Sequence, residues 1–218
     1  MGDYKGIYNR LFSEYGPQSW WPGDTPFEVM IGAILTQNTA WLNVERAITN
    51  LKNARLLSAQ DLRDTTREEL AVLIKPSGYF NVKADRLLEF VHWYCQQGQY
   101  ESLKKLHTAQ LRQGLLSVKG IGPETADDIL LYAFNRKVFV IDAYTRRIFS
   151  RLGYVDKAIT YEPLRKVFEE NLADDNTQVF NEYHALIVRH GKDICKTQPR
   201  CPECCLEVIC PKLGLANS

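Results

Sequence analysis

Apolar positions recur along this chain at the three-to-four-residue spacing of helices that each bury one face. In "DTPFEVMIGAILTQNT", Thr25 stands as N-cap, Pro26 takes the first helical position and Glu28 completes a capping box. Val29, Ile31, Ala33, Ile34 and Leu35 predict that this helix is largely buried. "TAWLNVERAITNLKN" is amphipathic, with Val44, Ala47, Ile48 and Leu51 on one face. "TREELAVLI" is a short helix capped by Thr66 with Glu69 and stopped by "KPSG". "NVKADRLLEFVHWYCQQG" predicts a helix from an Asn81 cap to Gly98, and "ESLKKL" and "TAQLRQGLLSV" follow. Beyond Asn135, "KVFVID" is a short β-like run ending at Asp142. "AYTRRIFSRLG" is helical with Gly153 as its stop, and "YEPLRKVFEENLA" and "NTQVFNEYHALIVRHG" complete the helical pattern. Nothing alternates convincingly as a sheet, so the expected fold class is all-α.

With 218 residues and 45% hydrophobic content, the chain can bury a proper core. The formal net charge of +1 argues against a polyanion binder that uses its whole surface, and leaves room for a local basic patch. No stretch reaches the roughly 18 uncharged apolar residues of a membrane span. The start, "MGDYKGIYNRLFSEYG", lacks the apolar core of a signal peptide. These features predict a soluble, cytoplasmic protein (nucleoid-associated if prokaryotic), with no membrane partner. Cys95 stands alone, whereas Cys195, Cys201, Cys204, Cys205 and Cys210 crowd into one short C-terminal segment. Such crowding suggests a metal site and not a disulfide framework. Four of them read C-x5-C-x2-C-x5-C. On spacing alone, a [4Fe–4S] cluster and a zinc ion are both open, and Cys205 could stand in for Cys204. His92, His107, His184 and His190 show no metal spacing. His190 lies near a helix end, where a proton would suit the dipole, and is expected to be structural.

"SVKGIGPETADDILLYA" reads as helix, hairpin, helix. Gly120 and Gly122 allow positive φ and close backbone approach, and Pro123 starts the second helix. Free N–H groups at such a helix start form a small anion site that suits a phosphate. Lys119 could add one charge. An ordinary helix–turn–helix connection would also use glycines.

Taken together, the motifs resemble the endonuclease III superfamily of DNA glycosylases, the HhH-GPD fold. "VKGIGPETA" and "VIDAYTRRI" stand where that family carries its hairpin and its catalytic-aspartate element. "PFEVMIGAILTQNT" resembles the segment that inserts a glutamine into the DNA stack, and "SGYFNVKADRL" resembles a G-x-[YF]-x-x-K-A segment. "HGKDICKTQPRCPECCLEVICP" is similar to the family's iron–sulfur loop, with the first gap one residue short of the usual six. The resemblance implies a six-helix domain over residues 25–134 with its hairpin at 118–123. A cluster-bearing domain would combine 1–24 with 135–218, and DNA would lie across the cleft between the two. It implies a monomer acting on double-stranded DNA that contains a damaged base.

The resemblance also implies roles for individual residues. Cys195, Cys201, Cys204 and Cys210 would hold a [4Fe–4S] cluster, with zinc as the alternative. Lys119, Gly120, Ile121 and Gly122 would grip the DNA backbone. Lys196 and Arg200 in the cysteine loop would face phosphates, or would simply be solvated. Gln37, with Asn38 beside it, would fill the gap left by a flipped nucleotide. Asp142 would stabilise the oxocarbenium-like sugar as the N-glycosidic bond breaks, and an ordinary helix N-cap would also place an aspartate there. Glu124 occupies the position where bifunctional relatives carry a lysine. A carboxylate cannot form a Schiff base, which implies a monofunctional glycosylase with water as nucleophile. Trp20, Trp21 and Trp41 resemble the branch that excises 3-methyladenine and related alkylated purines, where an aromatic cage favours a cationic base; the alternative is that they are core. Trp93 reads as core. Two alternatives stand beside this reading. One is an endonuclease III-type glycosylase with abasic-site lyase activity on damaged pyrimidines or uracil. The other is a non-catalytic DNA-binding protein with a zinc-stabilised tail.

Overall fold

The computed structural model describes residues 2–21 and 23–215. Among them every regular element is helical. In order these are α1 (Tyr4–Tyr15), α2 (Pro26–Leu35), α3 (Trp41–Asn53), α4 (Ala59–Asp64), α5 (Arg67–Leu73) and α6 (Phe80–Gln96). Then follow α7 (Gln99–Leu103), α8 (Thr108–Ser117), α9 (Pro123–Asp128), α10 (Ala143–Arg151), α11 (Tyr161–Asn171) and α12 (Thr177–Asp193). The chain divides into two compact units, Trp21–Arg136 and Met1–Trp20 with Lys137–Ser218. No described helix is long and apolar enough to cross a membrane.

In the unit Trp21–Arg136, α2 is the central helix, and all of Glu28–Leu35 is buried. Its start is fixed as the sequence predicts: the Thr25 hydroxyl accepts the Glu28 N–H at 3.1 Å, and Pro26 opens the first turn. The Glu28 carboxylate reaches one residue past the box position, to the Asp24 N–H at 3.3 Å, and pairs with Lys52 at 2.8 Å. The Thr66 cap of α5 also forms, on the Glu69 N–H. The start of α6 differs from expectation. The cap is Tyr79, in the left-handed region at φ 46°, and Asn81 lies inside the helix. Gly78 at φ 68° and Tyr79 together reverse the chain in two residues, so α6 begins sooner than an Asn81 cap would allow. Trp93 is half-buried on Phe90 and against Gly114.

The other unit packs α1, α10, α11 and α12 around an aromatic core. Tyr4 stacks on Phe149 at 5.3 Å, and Phe139 stacks on Phe168 at 4.2 Å. The buried Tyr183 hydroxyl donates to the Tyr4 carbonyl at 2.7 Å. Each such ring pair adds about 0.5–1.5 kcal/mol beyond its buried area. "KVFVID" forms no strand. Val138, Phe139, Val140 and Ile141 are all buried, and side chains satisfy the extended backbone. Glu169 accepts the Phe139 N–H at 3.0 Å, and the Tyr161 hydroxyl accepts the Ile141 N–H at 3.4 Å. These bonds replace the ladder that a β-like sequence invites. The run ends at Asp142, which caps α10, and Gly153 ends that helix region at φ 74°.

Candidate functional site

The hairpin between α8 and α9 is held from both sides. Arg112 on α8 forms a bidentate pair with the fully buried Asp127 on α9, at 2.7 and 3.1 Å. Gly120 has φ 91°, and a Cβ there would lie 2.4 Å from the Arg86 side chain. The close approach at Gly120 is therefore internal. Gly122 differs from expectation: it is extended, at φ −91° and ψ 178°, and caps α9. A Cβ at Gly122 would meet nothing within 4 Å, so that face lies open to an external guest. Ile121 is turned inward, 5% exposed, and its N–H is bonded to Val118 at 3.1 Å. Ile121 thus anchors the hairpin, with its side chain in the core and its N–H already bonded. Lys119 and Glu124 are exposed.

Gln37 is engaged with the hairpin and does not project freely. Its amide N–H groups donate to the Gly120 carbonyl at 3.0 Å and to the Thr125 hydroxyl at 2.9 Å. Arg86 donates to the Gln37 carbonyl oxygen. Asn38 follows, exposed, at φ 54°. Two residues of "SGYFNVKADRL", a segment the sequence singles out without giving a role to either, stand out here. Tyr79 is 70% exposed and sits on strained left-handed backbone. Lys83 is 1% exposed, and its ammonium donates to the carbonyls of Leu35 and Ser77, each at 2.7 Å. Burial, with Arg86 nearby, pulls the Lys83 ammonium down to about 8. A groove of about 990 Å³ beside the hairpin is lined by Arg63, Arg86, His92 and Lys119, among others.

Trp21 meets Trp41 edge-on at 4.9 Å and lies 5.0 Å from Tyr132. Gly32 makes room for the pair, since a Cβ there would stand 3.4 Å from one indole and 3.7 Å from the other. Tyr132 sits on a π-helical segment, Ile129–Ala133, that continues α9. Such bulges re-aim side chains at functional sites. Trp41 donates to Glu45 at 2.7 Å, and a cavity of about 220 Å³ beside it is lined by Asp24, Glu28, Glu45 and Lys52. Trp20, half-buried, belongs to the other unit.

In that other unit, Asp142 is held as both a cap and a rigid carboxylate. Its Oδ1 accepts the Thr145 N–H at 2.6 Å and the Thr145 hydroxyl at 2.8 Å. Its Oδ2 lies 3.8 Å from His184 Nε2. Burial alone would raise the carboxyl; His184 and the two Thr145 donors outweigh it and hold the group below the ordinary carboxylate value. His184 had no sequence signal, because its proximity to Asp142 arises only from the packing of α12 on α10.

Cys195, Cys201, Cys204 and Cys210 line one small pocket, together with Arg151 and Ile194. Cys205 does not line it; Cys205 lies near the charges of Glu14 and Arg10. No three His, Cys, Asp or Glu side chains among the described residues gather closely enough to hold a single metal ion. Two arginines of α10 hold the loop. Arg147 donates to the carbonyls of Cys195 and Gly191, each at 2.8 Å. Arg151 donates to the carbonyls of Lys196 and Thr197 at 2.5 and 2.9 Å, and lies 3.3 Å from the Cys195 sulfur. Burial pushes the Cys204 thiol up to about 11 and raises Cys210. Lys196 is exposed, and exposed Arg200 approaches Glu203 at 3.7 Å. His190 is fully buried between the Tyr15 hydroxyl at 2.8 Å and the Cys204 sulfur at 3.5 Å. Burial lowers it to about 4, which favours the neutral ring, with no positive charge for the helix dipole.

A profile of the HhH-GPD superfamily base excision DNA repair proteins matches residues 31–174. A Methanocaldococcus jannaschii protein that bears the name of a DNA repair glycosylase, MJ1434, is 45% identical over 94% of this chain and 94% of its own. Endonuclease III of Thermotoga maritima is 31% identical, over 85% of this chain and 82% of its own. Among solved structures, the H. pylori 3-methyladenine DNA glycosylase MagIII, bound to 1,N6-ethenoadenine, superposes with a TM-score of 0.77 at 30% identity. That match covers 88% of this chain and 98% of MagIII.

Proposed function

Because the chain belongs to the HhH-GPD superfamily of base excision DNA repair proteins, we propose that it is a DNA N-glycosylase. It would be monofunctional and would hydrolyse an alkylated purine from duplex DNA. The observation that carries this reading is Asp142: an ionised carboxylate held rigidly at a helix start, with one oxygen bound by Thr145 and the other facing His184 at 3.8 Å. As the C1′–N bond breaks, its electron pair leaves with the base. A base that carried a methyl-derived positive charge departs neutral without a proton donor. Asp142 then faces the cationic sugar and stabilises it. Water forms the new C1′–O bond and gives up its proton to bulk solvent, leaving an abasic nucleotide in an uncut strand.

Glu124 supports the absence of strand cleavage. It is an exposed carboxylate where lyase relatives carry the attacking amine. Lys119 lies on the hairpin, and Lys83 is buried and clamped. The open face at Gly122 suits close approach of a phosphate, which positions DNA without reading its sequence. Tyr79 offers a stacking face, and Gln37 would have to leave its bonds to Gly120, Thr125 and Arg86 to fill the gap. MagIII is a 3-methyladenine enzyme with a bound modified adenine, and this chain shares 30% identity with it. That likeness, with Trp21, Trp41, Tyr132 and the acidic cavity beside Trp41, supports an alkylated purine as substrate.

The cysteine loop fits a [4Fe–4S] cluster. Four thiols line one pocket, the donor set that a [4Fe–4S] cluster takes. Cys195, Cys201, Cys204 and Cys210 would hold the cluster, which supplies metal–thiolate bonds that pin the loop. Burial disfavours the Cys204 thiolate, and a bound metal would offset that. Arg147 and Arg151 hold the loop backbone in place.

A panel of duplexes carrying alkylated purines, uracil, mismatched thymine or oxidised pyrimidines tests the proposal. Free base should appear with alkylated purines, and strand breaks only after alkali. Breaks without alkali, or a covalent complex trapped by borohydride on an abasic duplex, would favour the lyase alternative.

A further inference from the structure

Lys83 joins two parts of the chain that are distant in sequence. Its side chain runs inward from the first turn of α6, and its ammonium meets no carboxylate. Its two partners are carbonyls at the ends of neighbouring elements. Leu35 is the last residue of α2, two positions before Gln37; Ser77 ends a short 3-10 turn, two positions before Tyr79. Placing a cation on the last carbonyls of two helical segments is favourable to both. Yet a buried ammonium without a counter-charge is costly. A Met or Leu would fill the volume more cheaply, so the amine is explained by the two loops it links. Arg86, one turn along, binds Gln37 and fills the space over Gly120. The first turns of α6 therefore fasten three segments: 36–38, 77–79 and the hairpin.

We propose that Lys83 is a positioning residue for base extrusion, tying the Gln37 loop to the Tyr79 loop so that both meet the duplex as one rigid piece. This rests on the glycosylase reading above, since extrusion is a step of that reaction. Freed from the tie, either loop would give way when pressed against the base stack, and the work of unstacking would be lost as loop motion.

The test uses the full chain with Lys83→Met and Lys83→Arg. Amide hydrogen exchange without DNA reads the tie directly. In Lys83→Met, amides of both loops should exchange about tenfold or more faster, as expected for loss of two charge-assisted hydrogen bonds. Lys83→Arg, which keeps donors, should restore most of the protection. Loosening of one loop alone, or of neither, overturns the proposal. Single-turnover base release from an alkylated duplex reads the consequence. With Lys83 present, Gln37→Ala and Tyr79→Ala should be non-additive, because each disables the same rigid piece; in the Lys83→Met background their losses should multiply independently. Additive losses with Lys83 present overturn the proposal even if Lys83→Met fails to fold. Wild-type protein that releases no base from any duplex would overturn the glycosylase reading, and the exchange experiment would still decide the tie.

Discussion

At Asp142 the two carboxylate oxygens have different surroundings: Thr145 takes Oδ1 at 2.6 and 2.8 Å, and His184 stands 3.8 Å from Oδ2. A carboxyl whose folded pKa is depressed contributes stability that is complete above its unfolded value, about 3.9, and is lost as pH falls through the lower folded value. Asp142 is of this kind. Base release should therefore hold its rate down to about pH 4 in short single-turnover assays. His184→Asn removes one of the groups that hold the carboxyl down, so the acid limb should move to higher pH. An unmoved limb would show that Thr145 alone sets it. Glu124 offers a gain-of-function test. Glu124→Lys places an amine on the first turn of α9, and borohydride should then trap a covalent complex that wild type does not form.

The hairpin separates two uses of glycine. Gly120→Ala forces a side chain into φ 91° against Arg86, and should cost about 1–3 kcal/mol in urea unfolding. Gly122→Ala has extended backbone and open space, so stability should change by less than about 0.5 kcal/mol while duplex affinity falls. Equal loss of stability in both would mean that the open face has a structural cause. Lys83 gives a pH signature. Its folded value, about 8, lies below the unfolded 10.5, so the unfolded chain binds more protons between them and stability rises with pH in that window. Relative to Lys83→Met, wild type should gain about 1–2 kcal/mol between pH 8 and 9.5. The caps at Thr25 and Thr66 and the stop at Gly153 were legible in the sequence because their partners lie within a few residues. "KVFVID" misled because residues buried on all sides read like a strand, while the acceptors of its N–H groups, Glu169 and Tyr161, come from α11. The links of Gln37 to Arg86 and Gly120, and of Lys83 to Leu35, cross 49, 83 and 48 positions, and local pattern carries no trace of them.

For the whole molecule, a net charge of +1 fits gripping DNA at a few points, with main-chain groups at a hairpin instead of a basic surface. Family, fold class and the helix-capping position of Asp142 were readable from motifs. The different placing of Cys204 and Cys205 was not; in the fold Cys204 lines the pocket and Cys205 does not, which favours Cys204 as ligand. Purified protein should be brown, with absorbance near roughly 400 nm. Cys205→Ser should keep its iron and Cys204→Ser should lose most of it; the reverse pattern would reassign the ligand. The most direct test of the central claim, hydrolysis promoted by the Asp142 carboxylate, is single-turnover release of base from an alkylated duplex by Asp142→Asn. The amide keeps a cap for α10 and removes the charge, so release should fall by about 10²–10⁴-fold with duplex binding retained. Release at the wild-type rate would contradict the account.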